Sequence, residues 1–191
     1  MAVRMGRGDA LAAAAAQEGA VTFVTGDRFD MQPISFSCRA TLPFTSAEIA
    51  TQILRIDLWP SFTGYGPLPG IRSAEFEART PDVIGTRIRV VNTDGSTHVE
   101  EVVDWEPERR LRLDLKEFSP PVSRLADRFE EVWEFTPTSG GTDVVRTMRL
   151  YARSRFSRPI LWLISLLLRR ALARHLRQMH AGATTAGDVA A

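Results

Sequence analysis

The chain has little of what most catalytic machinery is built from. It carries one cysteine, Cys38, and three histidines, His98, His175 and His180. A single cysteine excludes an intrachain disulfide and any multi-cysteine metal site, and it fits a reducing, cytoplasmic compartment. With no base beside it in sequence, Cys38 reads as a small core residue. His175 and His180 are five positions apart, not at the i, i+4 spacing that stacks metal ligands on a helix, so no metal and no cofactor is expected. No nucleophile elbow, phosphate loop or dinucleotide fingerprint appears; Gly64-Tyr65-Gly66 lacks the third glycine and the strand–helix context.

Lysine is nearly absent too: arginine supplies all the positive charge except Lys116. The net charge is +1, and nothing interleaves basic with aromatic residues, which excludes nucleic acid as the expected partner. Acidic residues are missing from Val144 to Gly187, a span that holds Arg146, Arg149, Arg153, Arg155, Arg158, Arg169, Arg170, Arg174 and Arg177. No apolar run is long enough to cross a bilayer. The densest, Ile160–Leu168, would cover ~14 Å as a helix, against roughly 30 Å of hydrocarbon. Arg4 and Arg7 ahead of Leu11–Ala16 resemble a signal peptide, but that run is short and preceded by Asp9, so export is not expected.

What remains is an ordinary globular composition in 191 residues, enough for one domain. Residues 1–32 read as a partly disordered extension, with a short alanine-rich helix at Leu11–Gln17 and strand character at Val21–Thr25. The domain is expected over 33–180, and 181–191 as a disordered small-residue tail. Ile34, Phe36, Cys38, Ala40 and Leu42 alternate with polar residues, a half-buried strand. Thr45 and Glu48 form a capping box that opens a helix. A helical turn at Asp57–Phe62 and a Gly/Pro-rich loop at Gly64–Gly70 follow. Strands are then expected at Ile71–Arg79, Gly85–Val91, Thr97–Glu106, Arg110–Phe118, Arg128–Thr136 and Thr142–Ala152, joined by short turns. Ser157, as N-cap, and Pro159 open a last long helix, Ser157–His180. Its first half is apolar all round. In its second half Leu172, His175, Leu176 and Met179 recur at helical spacing while the arginines fall elsewhere. The expectation is an α+β fold: a curved antiparallel sheet of about seven strands wrapped around a long C-terminal helix, with short helices after the first strand.

Several stretches carry a resemblance beyond this order: D-L-W-P-S-F at Asp57–Phe62, V-I-G-T-R-I at Val83–Ile88, V-D-W-E-P-E-R-R-L at Val103–Leu111, and F-E-E-V-W-E-F-T-P followed by G-G-T over Phe129–Thr142. Over residues 33–180 the chain resembles the helix-grip (SRPBCC) superfamily of START-related lipid-transfer domains, birch-pollen-allergen-like proteins and polyketide cyclase/dehydrase-like proteins. The resemblance implies a bent sheet gripping the last helix, with a hydrophobic cavity between them. Members bind lipids, sterols, quinones, hormones or polyketides, and a minority are enzymes.

Strand alternation then nominates the wall. Facing inward would be Ile88, Val90, Val103, Leu113, Leu115, Phe129, Trp133 and Met148, together with the charged Glu101, Glu131 and Arg146 and, by the same parity, Val99 and Glu117. His98 takes the outward parity. From the helix, Ile160, Leu163, Ile164 and Leu167 would meet the sheet, leaving Trp162 and Leu166 for another surface. Hairpin register sets Leu113 near Glu131, with Arg146 able to neutralise Glu131 diagonally. Trp59, Phe62 and Tyr65 occupy the places where the family's short helix and loop guard the cavity mouth, and the glycines beside Tyr65 make it the gate candidate.

These charges can orient a ligand's carbonyl or hydroxyl, or simply pair with one another. The expected function is binding of a small hydrophobic molecule, by carriage or sequestration and without catalysis. The alternative is an aromatase/cyclase-like enzyme using Glu101, Glu131 and Tyr65 as acid, base or orienter. The arginines of the last helix have three readings: a solvated face, a membrane-surface contact through Arg170, Arg174 and Arg177, or a homodimer surface that includes Trp162 and Leu166.

Overall fold

A computed structural model describes residues 32–188, with side chains described to residue 181. The expected helix and strand at Leu11–Gln17 and Val21–Thr25 lie outside these residues. The elements run β1 (Ile34–Leu42), α1 (Ser46–Ile53), a 3-10 helix (Ile56–Ser61), β2 (Ile71–Ala78), β3 (Arg87–Asn92), β4 (Thr97–Glu106), β5 (Arg110–Lys116), α2 (Val122–Leu125), β6 (Ala126–Thr138), β7 (Gly141–Ala152) and α3 (Arg158–Asp188). The seven strands form one antiparallel sheet in the order β1-β7-β6-β5-β4-β3-β2. Consecutive hairpins build β2 to β7. The first strand crosses over α1 and the 3-10 helix to pair with the last, the helix-grip arrangement.

Local chemistry accounts for the element starts. Thr45 accepts from the Glu48 amide, and the Glu48 carboxylate accepts from the Thr45 amide at 2.8 Å, closing the capping box. Hydrogen bonds from Thr45 hold the Glu48 carboxyl below its usual range, the backbone bond foremost. Before α3, the Ser157 hydroxyl does not cap the helix. It donates to the Ser154 carbonyl at 2.8 Å and accepts from the Ser154 amide. The helix runs on to Asp188, past the His180 end read from its last periodic residues.

The helix buries Leu161, Ser165, Leu168, Leu172 and Leu176, positions that share one face at 3.6 residues per turn. Ile160 and Leu163, expected against the sheet, are instead exposed. The reason is physical: where every position from 160 to 168 except Ser165 is apolar, hydrophobicity cannot phase the helix. The second half, with Leu172 and Leu176 set against arginines, does so, and its stripe propagates back to Leu161. Cys38 sits under this helix, its thiol donating to the Arg169 carbonyl at 3.4 Å. Burial pushes that thiol's pKa up, away from nucleophile chemistry.

In the sheet, direct cross-strand pairs identify the inner face. Leu111, Leu113 and Leu115 lie opposite Trp133, Glu131 and Phe129, which in turn face Arg146, Met148 and Leu150. On β4 the expected parity is reversed. Val102 lies opposite Leu113 and Glu100 opposite Leu115, and a bulge between Val102 and Asp104 returns Trp105 to the inner face opposite Leu111. His98, Glu100 and Val102 therefore point inward, while Val99, Glu101 and Val103 do not. The stretch H-V-E-E-V-V offers one Glu and at least one Val on either face, so alternation alone could not choose between them.

Candidate functional site

Between the sheet and α3 lies a cavity of about 450 Å³, within the roughly 300–1,000 Å³ of small-molecule sites. Leu113, Leu115, Phe129 and Met148 form its floor; Ile164, Leu167, Leu168 and Leu172 of α3 form its roof. The 3-10 helix closes one end with Trp59 and Phe62. Trp59 is fixed there because its indole donates to the Ile53 carbonyl at 2.7 Å, capping the end of α1. Pro67 and Leu68, Phe118, Val122 and the polar β3–β4 turn complete the rim. Among the described residues no three His, Cys, Asp or Glu side chains converge as metal ligands, and no helix is long and apolar enough to cross a membrane.

Against this apolar wall stands one deep polar cluster. Glu131 and Arg146 are both buried, with side chains 5% and 10% exposed, and ion-paired through Arg146 Nε. Arg146 stands opposite Trp133 on β6, which stacks the guanidinium over the indole at 4.3 Å and sends its nitrogens diagonally to Glu131. Its Nη1 donates to His175 Nδ1 at 3.1 Å. Arginine only donates, so Nδ1 is an acceptor and the imidazole proton sits on Nε2. That proton faces the Ser61 hydroxyl at 3.5 Å, while Phe62 packs edge-on to the ring at 5.8 Å. Burial, helped by the Arg146 charge, pushes the His175 pKa down to about 3, so the ring stays neutral across the physiological range. Burial raises the Glu131 carboxyl against the pull of Arg146, and the charge of Glu100 adds to the rise. A second buried pair, His98 Nε2 and Glu100 Oε1 at 3.1 Å, also lines the cavity, with Phe118 stacked on the imidazole at 5.7 Å.

Of the residues nominated from sequence, Trp59, Phe62, Leu113, Leu115, Phe129, Glu131, Trp133, Arg146, Met148 and Leu167 line the cavity. The others do not. Glu101 points to the opposite face, where Lys116 at 2.7 Å and Arg87 at 3.1 Å hold its carboxyl below the usual range, Lys116 most strongly. Val103 sits in the β4 bulge, outside the wall. Glu117 also bonds Arg87 on the outer face. Ile88 and Val90 face inward opposite Glu100 and His98 and are fully buried, but as packing; the longer side chains opposite them reach the cavity. Leu163 is turned outward with the helix phase.

Tyr65 is half-exposed beneath the Arg170 guanidinium, 5.9 Å from its ring. Gly64 beside it is not there to free the loop. A Cβ on Gly64 would lie 2.2 Å from the Leu68 carbonyl oxygen, so glycine is there for close backbone approach. Tyr65 and Leu68 exchange both backbone bonds at 3.1 Å, tying the loop rather than hinging it.

Sequence reasoning missed His98, Glu100 and Ser61, and assigned His175 no role. Its place on the apolar stripe was legible, but its partner Arg146 lies 29 residues away, and only the fold brings them together.

The depressed His175 pKa has a signed consequence. Below its unfolded value near 6.5 the unfolded chain takes up a proton that the folded chain refuses, so this group's contribution to stability is lost as pH falls from about 6.5 toward 3. We predict that denaturant melts between about pH 7 and 5 show a stability slope of up to about 1.4 kcal/mol per pH unit from this one group, and that His175→Gln removes it. Parallel slopes for the two proteins would contradict the buried, neutral imidazole.

Residues 33–183 match the protein family described as "Polyketide cyclase / dehydrase and lipid transport". A search of the curated proteins found no significant match. Solved structures with this fold include the di-domain ARO/CYC StfQ from the steffimycin biosynthetic pathway, at TM-score 0.62 and 17% identity over 82% of this chain and 53% of that one. They also include TTHA0849 from Thermus thermophilus, at 0.58 and 20% over 78% and 99%, and a START superfamily protein from Mycobacterium smegmatis, at 0.59 and 12% over 79% and 98%. At these identities the likeness shows the fold.

Proposed function

This chain belongs to the polyketide cyclase/dehydrase and lipid transport family, and from that premise we propose that it binds one small hydrophobic molecule in the cavity under α3, by carriage or sequestration rather than by turnover. The observation that supports this most is the wall itself: apolar side chains on floor and roof around about 450 Å³, interrupted by a polar cluster whose members already occupy one another. Glu131 is held by Arg146. His175 Nδ1 is filled by Arg146, and the guanidinium does not lose its proton. None of the three is free as a general base.

Among the described residues, Arg146 Nη2 keeps no protein acceptor, so the cluster has a donor to spare. A ligand with an apolar body and one neutral oxygen, as in a ketone or quinone, satisfies that donor. A carboxylate would meet Glu131 at close range and is disfavoured.

A second reading, an aromatase/cyclase-like enzyme, rests on His98 and Glu100. A buried imidazole beside a carboxylate on the cavity wall is a general acid/base pair in form. Mass spectrometry separates the two readings. Protein purified from cells and sprayed under native conditions should carry one hydrophobic ligand per chain, and that ligand should return chemically unchanged after incubation. An empty protein would sink the carrier reading; a ligand converted by the wild type and left intact by His98→Ala would favour the enzyme.

A further inference from the structure

The outward face of α3 has no role in the cavity, yet it is the most apolar exposed surface among the described residues. Phe156, just ahead of the helix, is 77% exposed; on the helix Trp162 and Leu163 are each 56% and Ile160 49% exposed. Four exposed large apolar side chains so close together in sequence need an account that scattered single ones would not.

Its continuation along the helix is basic. At 100° per residue, Leu163, Arg170, Arg174 and Arg177 fall within about 60° of one another, on the side opposite the buried stripe. All three arginines are exposed. Neither they nor Arg169 form an ion pair with a described residue, whereas the arginines of the sheet's outer face mostly do. No acidic residue occurs from Val144 to Gly187 to answer them.

We propose that this face docks the protein on an anionic lipid surface. The apolar end would enter the acyl boundary, and the arginine stripe would lie at the level of the lipid phosphates. The lengthwise segregation sets the pose. Arg170 stands about 10 Å along the axis from Leu163 at 1.5 Å per residue, so a tilted helix puts the apolar end deep and the arginines at the headgroups. The charge pattern selects this occupant over a second copy of the chain, because the same face of another copy brings no acidic residue to answer the arginines. The docked helix is also the cavity roof, since Ile164, Leu167 and Leu168 line the cavity from its adjoining side. Docking therefore brings the cavity to the source or destination of an apolar ligand.

The test is flotation of the full chain with vesicles of phosphatidylcholine alone or mixed with phosphatidylserine. The wild type should float with the mixed vesicles, lose binding as salt is raised, and stay behind with phosphatidylcholine alone. Arg170→Gln/Arg174→Gln/Arg177→Gln should bind on the order of a hundred-fold more weakly, and Phe156→Ser/Leu163→Ser at least roughly ten-fold more weakly. Both change exposed positions, and circular dichroism confirms that they fold. A variant with the cavity filled should float like the wild type, which separates this surface from the ligand site. Absence of flotation, equal binding by all variants, or a solution dimer abolished by Phe156→Ser/Leu163→Ser would overturn the proposal.

Discussion

Arg146→Met should unfold at a temperature on the order of 10 °C below the wild type. The guanidinium is the counter-charge of Glu131, and both side chains are nearly sealed from solvent. Removing one member of a buried pair leaves the other unsolvated, which costs about 3–5 kcal/mol. In a domain of this size each kcal/mol moves the midpoint by about 2–4 °C. The variant also strips His175 Nδ1 of its donor and Trp133 of the cation over its ring.

Two controls give the number a mechanism. The first is acid. Burial already raises the Glu131 pKa, and without Arg146 it rises further. A raised carboxyl holds its proton in the folded state where the unfolded chain has lost it, so stability falls as pH rises through that window. The deficit of Arg146→Met should therefore be largest near pH 8 and shrink toward about pH 5. The second is removal of both charges. Glu131→Leu/Arg146→Met should recover most of the loss, because a buried pair replaced by apolar groups of similar size is often neutral in stability. Thermal melts as stable for Arg146→Met as for the wild type would show that the pair is not buried as described.

The second large effect concerns binding with the fold retained. Leu115→Trp and Leu167→Trp place an indole on the floor and another on the roof of the same cavity. Core overpacking normally costs about 1–3 kcal/mol. Here the added rings have empty space to enter, so the double variant should melt within a few degrees of the wild type. Its affinity for an apolar probe, read by fluorescence titration, should fall by more than ten-fold, about 1.4 kcal/mol or more. Leu163→Trp is the matched control: it adds the same bulk to the exposed side of the same helix and should bind as the wild type does. Equal affinity for the three proteins would place the probe elsewhere.

How far these residues could be read in advance depended on how sharply each stretch discriminated between its faces. In β1 and β5 apolar and polar residues alternate without exception, and both strands orient as the pattern dictates. The Glu131–Arg146 pair was legible for the same reason, since β6 and β7 are long, regular and joined by a tight turn. In β4, Glu and Val occur on both parities and a bulge intervenes, so Glu101 was exchanged for Glu100 and His98 was turned the wrong way. From Ile160 to Leu168 every side chain but Ser165 is apolar, and periodicity there points Ile160 and Leu163 the wrong way. Tyr65 failed differently. Its flanking glycines signal conformational freedom in sequence, but the backbone carbonyl that Gly64 lies against appears only in three dimensions. The fold follows from periodicity, which many residues share. The site depends on the phase of individual strands and on contacts between distant segments.

If the space under α3 holds a ligand, a protein with that space filled must lose it. Native mass spectrometry of the wild type and of Leu115→Trp/Leu167→Trp, purified side by side from the same cells, tests it most directly. The wild type should carry one added hydrophobic molecule per chain, lost on denaturation, and the double variant should appear at its bare mass. A wild type that is itself bare, or a double variant carrying the same molecule at the same occupancy, would contradict it.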